Sequence, residues 1–241
     1  MKISTLILLF LSIPFSALGW ENCGQINNTN SNCEYQVENG TLTIRPIDNN
    51  ADAIMPTYSY SYVGQGNADY STTAPWYNDR DNITNIKIEN GIQNISKDAF
   101  MELRQVTSVT MADSVTSIGR DAFTNAYTLN QVNLSKNLQT ISGCAFQSTN
   151  SLTHIDLPEG LTTLGGSIFN FQKGATSLAI PDSLIDSQNF HIQALNKSKI
   201  STVYCSKEKE KACADYIKKA KDAGYAPEGL TYEVYEKYDN K

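Results

Sequence analysis

The chain has 241 residues, is 40% hydrophobic and 10% aromatic, and carries a net charge of −6. That length holds one large domain or two small ones, with enough apolar residues for a continuous core. The acidic balance argues against gripping nucleic-acid phosphates, so no nucleic-acid partner is expected.

At the N-terminus, Lys2 precedes an apolar run from Leu6 to Phe15, and Ala17-Leu18-Gly19 then leads to Trp20. This charged, apolar, small-residue order predicts a secretory signal over residues 1–19, cleaved after Gly19. No Cys follows the cut to carry a lipid. No later stretch reaches the roughly 18 apolar residues a membrane span requires. The mature chain is therefore expected to be soluble and to be secreted, periplasmic or associated with the cell surface.

Export makes disulfides the first reading of the five cysteines. Cys23 and Cys33 flank one short polar loop and Cys205 and Cys213 another, so local pairing is simplest, and Cys144 is left as the odd thiol. Metal binding is the rival reading, but four-ligand spacing is missing and His154 and His191 sit in other contexts. No metal and no other cofactor is expected.

Tyr35 and Val37 alternate before Asn39-Gly40, and Leu42 and Ile44 alternate after it. Asn-Gly accepts the positive φ of a tight turn, so a β-hairpin is predicted, closing the open end of whatever follows. From Pro46 to Asn82 the periodicity fades and aromatic residues gather, among them Tyr58, Tyr60, Tyr62, Tyr70, Trp76 and Tyr77. Tyrosines 58, 60 and 62 would share one face of an extended segment, and packing onto the first repeat is favoured over a ligand platform. Asp79 and Asp81 hint at calcium, but the twelve-residue loop and its closing Glu are absent.

From Ile83 to Ile180 one motif recurs at a step of 23 residues. Phe100, Phe123, Phe146 and Phe169 keep that step, as do Ile86, Val109, Val132, Ile155 and Leu178, and Ile95, Ile118, Ile141 and Leu164. Several apolar ladders agreeing on one period predict a solenoid whose units bury their hydrophobic sides against neighbours. Each unit opens with a short strand, as in Val106-x-x-Val109-x-Met111 and Leu152-x-x-Ile155-x-Leu157. A turn and a return path then carry the Phe into the core, with parallel strands about 4.8 Å apart. The fifth unit is degenerate: Ile192 falls on the Phe register, Phe190 competes, and the next strand starts two residues late at Ile200-x-x-Val203-x-Cys205.

The phrases Val115-Thr-Ser-Ile-Gly-Arg-Asp-Ala-Phe123 and Leu152-Thr-His-Ile-Asp-Leu-Pro-Glu-Gly160 resemble the BspA-like leucine-rich repeats of bacterial and protozoan surface proteins. Asn39-Gly-Thr-Leu-Thr-Ile44 and Ala74-Pro-Trp-Tyr77 are similar to the leader before such repeats, so the likeness spans roughly residues 23 to 205. One departure is Leu103, Ala126 and Thr149 in place of a small Cys three residues after the Phe. The resemblance implies secreted or surface-displayed binding proteins without a shared enzymatic activity, and it assigns no ligand.

After Cys205, Ser206 is expected to N-cap a helix with Glu208 and Glu210 in its first turns, Lys218, Lys219 and Lys221 near its end, and Gly224 as its stop. Cys213, Tyr216, Ile217 and Ala220 share the face that would cover the last strand, and Tyr232, Val234 and Tyr238 suggest a short final strand. The expected architecture is an α/β solenoid: a leucine-rich repeat fold with 23-residue units, a parallel strand ladder, an N-terminal β-hairpin cap and a C-terminal helical cap. Its divisions are a signal peptide at 1–19, the N-terminal cap at 20–82, the solenoid at 83–205, and the helical cap and tail at 206–241.

Residues beside the buried strand positions should line one inner face, where such folds bind. Lys87, Thr110, Asn133, His154, Asp156 and Tyr204 are the candidates, and the face holds no Trp, Tyr or Arg before Tyr204. Interface hot spots favour those three residue types, so a polar, modest surface is expected. His154 and Asp156 share a strand face but lack a nucleophile motif, so no catalytic residue is assigned. The expected function is an exported, non-catalytic binding module for a protein or glycan at a cell surface, and the alternative is a structural or assembly component of the envelope. Asn-x-Ser/Thr sites occur at Asn27, Asn39, Asn82, Asn94, Asn133 and Asn196, and a glycan on Asn133 would obstruct the inner face.

Overall fold

A computed structural model describes residues 19–49, 51–62 and 70–235. Apart from Gly19, the expected signal peptide lies outside the described residues, as does Tyr238. In chain order the strands begin with β1 (Glu21–Asn22), β2 (Gln25–Ile26), β3 (Thr29–Asn30), β4 (Cys33–Glu38), β5 (Thr41–Pro46), β6 (Tyr60–Tyr62) and β7 (Tyr70–Thr72). Then come β8 (Asn85–Ile88), β9 (Asn94–Ile95), β10 (Ser108–Met111), β11 (Ser117–Ile118), β12 (Gln131–Asn133), β13 (Thr140–Ile141), β14 (Thr163–Leu164) and β15 (Ser177–Ala179). Helix α1 (Asp182–Ser187), β16 (Thr202–Ser206), helix α2 (Glu210–Asp222) and β17 (Thr231–Tyr235) follow.

Asn39 and Gly40 adopt φ of 48° and 78°, the left-handed pair that a two-residue hairpin turn demands, and β4 and β5 pair antiparallel around them. β5 then pairs in parallel with β8, setting Leu42 against Ile86 and Ile44 against Ile88. The sheet continues through β10 and β12, with Ile86 beside Val109 and Val109 beside Val132. A second parallel sheet joins β9, β11, β13 and β14 through Ile95, Ile118, Ile141 and Leu164. All four of these residues are buried, so the apolar side of each short strand faces the interior.

Turn segments link the two ladders and make a third line of bonds. The N–H groups of Asp98, Phe100 and Glu102 donate to the carbonyls of Arg120, Ala122 and Thr124, and Asp121, Phe123 and Asn125 repeat this toward Gly143, Ala145 and Gln147. Each of these four turns uses two left-handed residues, at Asp98, Asp121, Cys144 and Ser167 and at Glu102, Asn125, Ser148 and Phe171. Inside the turns the phenylalanines stack, with centroids 5.3 Å apart from Phe100 to Phe123, 5.2 Å to Phe146 and 6.2 Å to Phe169. All four are buried, each worth roughly 1.5–3 kcal/mol relative to exposure. Leu103, Ala126 and Thr149 are also buried, and the Thr149 hydroxyl donates to the Phe146 carbonyl at 2.8 Å.

Trp76 extends the column, 5.6 Å from Phe100, with Tyr35 and Tyr58 edge-on to it at 5.3 Å each. Tyrosines 58 and 60 do not share a face: Tyr58 is buried and donates its hydroxyl to the Cys23 carbonyl, whereas Tyr60 is exposed beside Lys97. The pull of the Trp76 ring on one side and water on the other separates them.

The expected strand at Leu152-x-x-Ile155-x-Leu157 is not formed, although Leu152 and Ile155 remain buried. Pro158 occupies the register place where the Ala112 N–H donates to the Ile88 carbonyl, and Pro181 occupies the next such place. Neither has an N–H, so the ladder loses a bond on each side of Leu157. Pairing resumes in a separate sheet, β15, β16 and β17, all parallel. Beyond Phe169 the register also slips. The Phe169 N–H donates to Ala194, so Leu195, not Ile192 or Phe190, takes the buried Phe place. The chain inserts α1 in that unit, which shifts the return path, and Phe190 stacks instead on Tyr216 of α2 at 3.8 Å.

Cys23–Cys33 and Cys205–Cys213 are disulfides, with Cα atoms 5.6 and 6.5 Å apart, and Cys144 is a free thiol. Ser206 does not cap a helix with its side chain; its hydroxyl donates to Asp182 at 2.7 Å, and a short 3-10 turn leads into α2. At the other end Gly224, at φ 73°, donates to Lys221 while Tyr225 donates to Ala220, the paired bonds that close a helix C-terminus. Among the described residues no helix is long and apolar enough to cross a membrane.

Candidate functional site

Alternation along parallel strands puts every second residue on the open face, and the pairing register decides which of them stand side by side. Thr43, Lys87, Thr110 and Asn133 form one row across β5, β8, β10 and β12. Lys87, Thr110 and Asn133 are exposed, and the Lys87 ammonium donates to Glu89 at 2.8 Å. Three of the six candidates are thus neighbours.

The other three are apart from that row. His154 and Asp156 lie on the strandless segment, with side chains 75% and 89% exposed and His154 Nε2 2.7 Å from Asp156 Oδ1. Tyr204 stands on β16 between Ala179 and Glu233, in the separate sheet.

A groove of about 750 Å³ opens where β5, β8 and β10 end. Lys87, Glu89 and Thr110 line it together with Glu34, Arg45 and Asp48 from the hairpin. The Arg45 guanidinium holds Glu34 at 2.7 Å and lies 3.5 Å from the centroid of the Trp20 ring. Both cations of the groove are therefore paired with acids, and its walls offer alternating charge around an apolar floor that includes Ile88 and Met111. Such a surface can make charge-assisted hydrogen bonds to a partner's polar groups.

Glu34, Arg45 and Trp20 are the residues that sequence reasoning missed. The hairpin was legible, but its parallel contact with β8 joins residues 44 apart, outside the repeat step, as Leu42 against Ile86 shows. Arg45 lines the groove beside the inner-face row, and Trp20 packs on its guanidinium. Elsewhere the Cys144 thiol is pushed up by burial and by the neighbouring Asp121 carboxylate, which leaves it a weak nucleophile. Among the described residues no three acidic, histidine or cysteine side chains gather as a metal site.

A family model for the BspA type leucine rich repeat region matches residues 74–202 in 6 copies. A leucine-rich repeat protein from Eubacterium ventriosum aligns at 23% identity and a TM-score of 0.60, over 73% of this chain and 42% of its own. A leucine rich cell surface protein from Faecalibacterium prausnitzii aligns at 18% identity and a TM-score of 0.45, over 76% of this chain and 55% of its own. The leucine rich repeat protein of T. pallidum aligns at 18% identity and a TM-score of 0.43, over 72% and 68%. No curated protein matches the chain in sequence. At such identities the likeness to the Eubacterium protein is one of fold, and this chain spans less than half of that protein's length. Parallel strand ladders, the stacked phenylalanines and a repeat match over more than half of its residues place the chain in the BspA-type leucine-rich repeat family.

Proposed function

We propose that the chain is an exported, non-catalytic binding module that engages a protein or glycan at a cell surface. The observation that carries this reading is the groove of about 750 Å³ at the ends of β5, β8 and β10, where Lys87 and Thr110 meet the Arg45–Glu34 pair. Arg45 supplies the kind of anchor that interfaces favour, held in place by Trp20 and Glu34. Asn133 continues the same row, and His154, Asp156 and Tyr204 are further contact candidates beyond the break in the sheet.

In this reading residues 83–205 are a solenoid of 23-residue units, residues 20–82 its N-terminal cap and residues 206–241 its helical C-terminal cap. Supporting the caps, the Tyr58 N–H reaches the Lys97 carbonyl at 3.3 Å and the Trp76 indole N–H the Ala99 carbonyl at 2.8 Å. Lys97 and Ala99 are the register mates of Arg120 and Ala122, whose carbonyls are taken by the preceding turn. Signal cleavage after Gly19 would leave Trp20 at the start of the mature chain, stacked on Arg45.

The test is a cross-linking capture from cell-surface extracts by the chain and by its Lys87/Asn133/Asp156 triple alanine variant. Capture by the parent and its loss in a variant that still folds is the expected outcome. Equal capture by both would move the contact away from this face, and no capture by either would favour a structural role in the envelope.

A further inference from the structure

A second hollow, of about 270 Å³, lies over the turn segments and shares no lining residue with the groove. Three rings line it, Tyr60, Tyr127 and Phe171, and Asp121, Asn125 and Gln147 supply its polar groups. Phe171 is anomalous in two independent ways. Its φ is 60°, in a register column whose other members are Glu102, Asn125, Ser148 and, after the slip, Lys197. Asparagine tolerates that conformation, but a bulky aromatic residue there is an outlier. Burial of the ring would offset the strain, yet Phe171 is 49% exposed. A strained residue that spends its ring on solvent at the edge of a hollow is a mark of function.

The charges around the hollow select the ligand. Each ring already has a cation near its face: Lys97 at 5.7 Å from Tyr60, Arg104 at 5.6 Å from Tyr127 and Lys197 at 5.1 Å from Phe171. A cationic ligand would find those ring faces already taken by the protein's own cations. An anionic ligand would meet the Asp121 carboxylate, which Arg120 Nε reaches at 3.1 Å and the Thr124 hydroxyl at 3.3 Å. A neutral ligand avoids both conflicts. Asn125 donates to Glu102 at 2.6 Å, which fixes its amide, and among the described residues the Gln147 side chain has no hydrogen-bond partner, so a donor and an acceptor remain to be used.

We infer that this hollow is a carbohydrate subsite that takes one neutral pyranose ring. The C–H face of the sugar would lie on the aromatic rings while adjacent hydroxyls hydrogen-bond to Asp121 and Gln147, the mix of apolar wall and few polar groups that orients small ligands. It is separate from the groove proposed above and does not depend on it.

Saturation-transfer NMR tests this with methyl α-mannopyranoside, methyl β-galactopyranoside and methyl N-acetyl-β-glucosaminide as neutral probes, and choline and glucuronate as charged ones. At least one neutral glycoside is expected to receive saturation on the protons of one ring face. Phe171→Asn and Tyr127→Ala are each expected to weaken that binding at least tenfold. Phe171→Asn should also keep or raise the thermal midpoint, because asparagine suits the backbone there. The Lys87/Asn133/Asp156 variant should bind the glycoside normally, which separates this site from the groove. Transfer to choline or glucuronate in place of the glycosides, silence from all neutral probes, binding retained in Phe171→Asn, or a lowered midpoint in that variant would each overturn the inference.

Discussion

Asp98 shows at the residue scale how a turn's backbone demand can conflict with burial. It is left-handed at φ 57°, as its column requires, and its carboxylate is fully buried. Burial pushes its pKa above the ordinary carboxylate range, opposed by Lys97 at 2.8 Å and by Arg120, and reinforced by the Asp121 charge. A raised folded-state pKa means that Asp98 contributes stability below its unfolded value, and that this contribution is lost as pH rises through the folded value. Asp98→Asn keeps the left-handed preference and removes the buried charge. We expect the variant to melt higher than the parent at pH 7, by about 2–4 °C if roughly 1 kcal/mol is recovered. Its advantage should shrink as pH falls through the carboxylate range. Thermal unfolding from pH 7 to pH 3 decides this, and an advantage that does not vary with pH would assign the gain to backbone preference alone.

Elements in this fold are short, and their order comes from bonds between neighbours more than from any strand's own length. The first turn has no turn before it, so its Lys97 and Ala99 carbonyls depend on Tyr58 and Trp76. Trp76→Phe would keep a ring on the column while orphaning the Ala99 carbonyl, at a cost of about 1–3 kcal/mol. Urea midpoints together with amide exchange of the Asp98 to Leu103 turn would measure it, and a loss below about 0.5 kcal/mol would show that water replaces the indole donor. The opposite lesson comes from Leu152 to Pro158, where burial persists without a strand because Pro158 and Pro181 remove ladder donors. Hydrophobic periodicity reports which residues go inside; it does not report whether the backbone there can bond to both neighbours.

For the whole molecule, the two disulfides stand near opposite ends of the stacked core. The Cys205–Cys213 bond ties α2 to the central strand of the last sheet and should contribute about 2–3 kcal/mol through its short loop. Replacing both cysteines with serine is expected to strip exchange protection first from α2 and β17, leaving the Phe100 to Phe169 column protected; simultaneous loss everywhere would mean the stack unfolds as one unit. The sequence by itself determined the family, the parallel strands and the core ladders, since Phe100 with Phe123 or Ile95 with Ile118 repeat a local pattern that nearest-neighbour packing must satisfy. Only the tertiary structure decided that β5 joins β8, that Leu195 replaces the phenylalanine after α1, and that Arg45 and Phe171 border hollows. Those outcomes depend on contacts outside the repeat step, where no periodic signal constrains the chain and the geometry of the neighbouring unit chooses the partner.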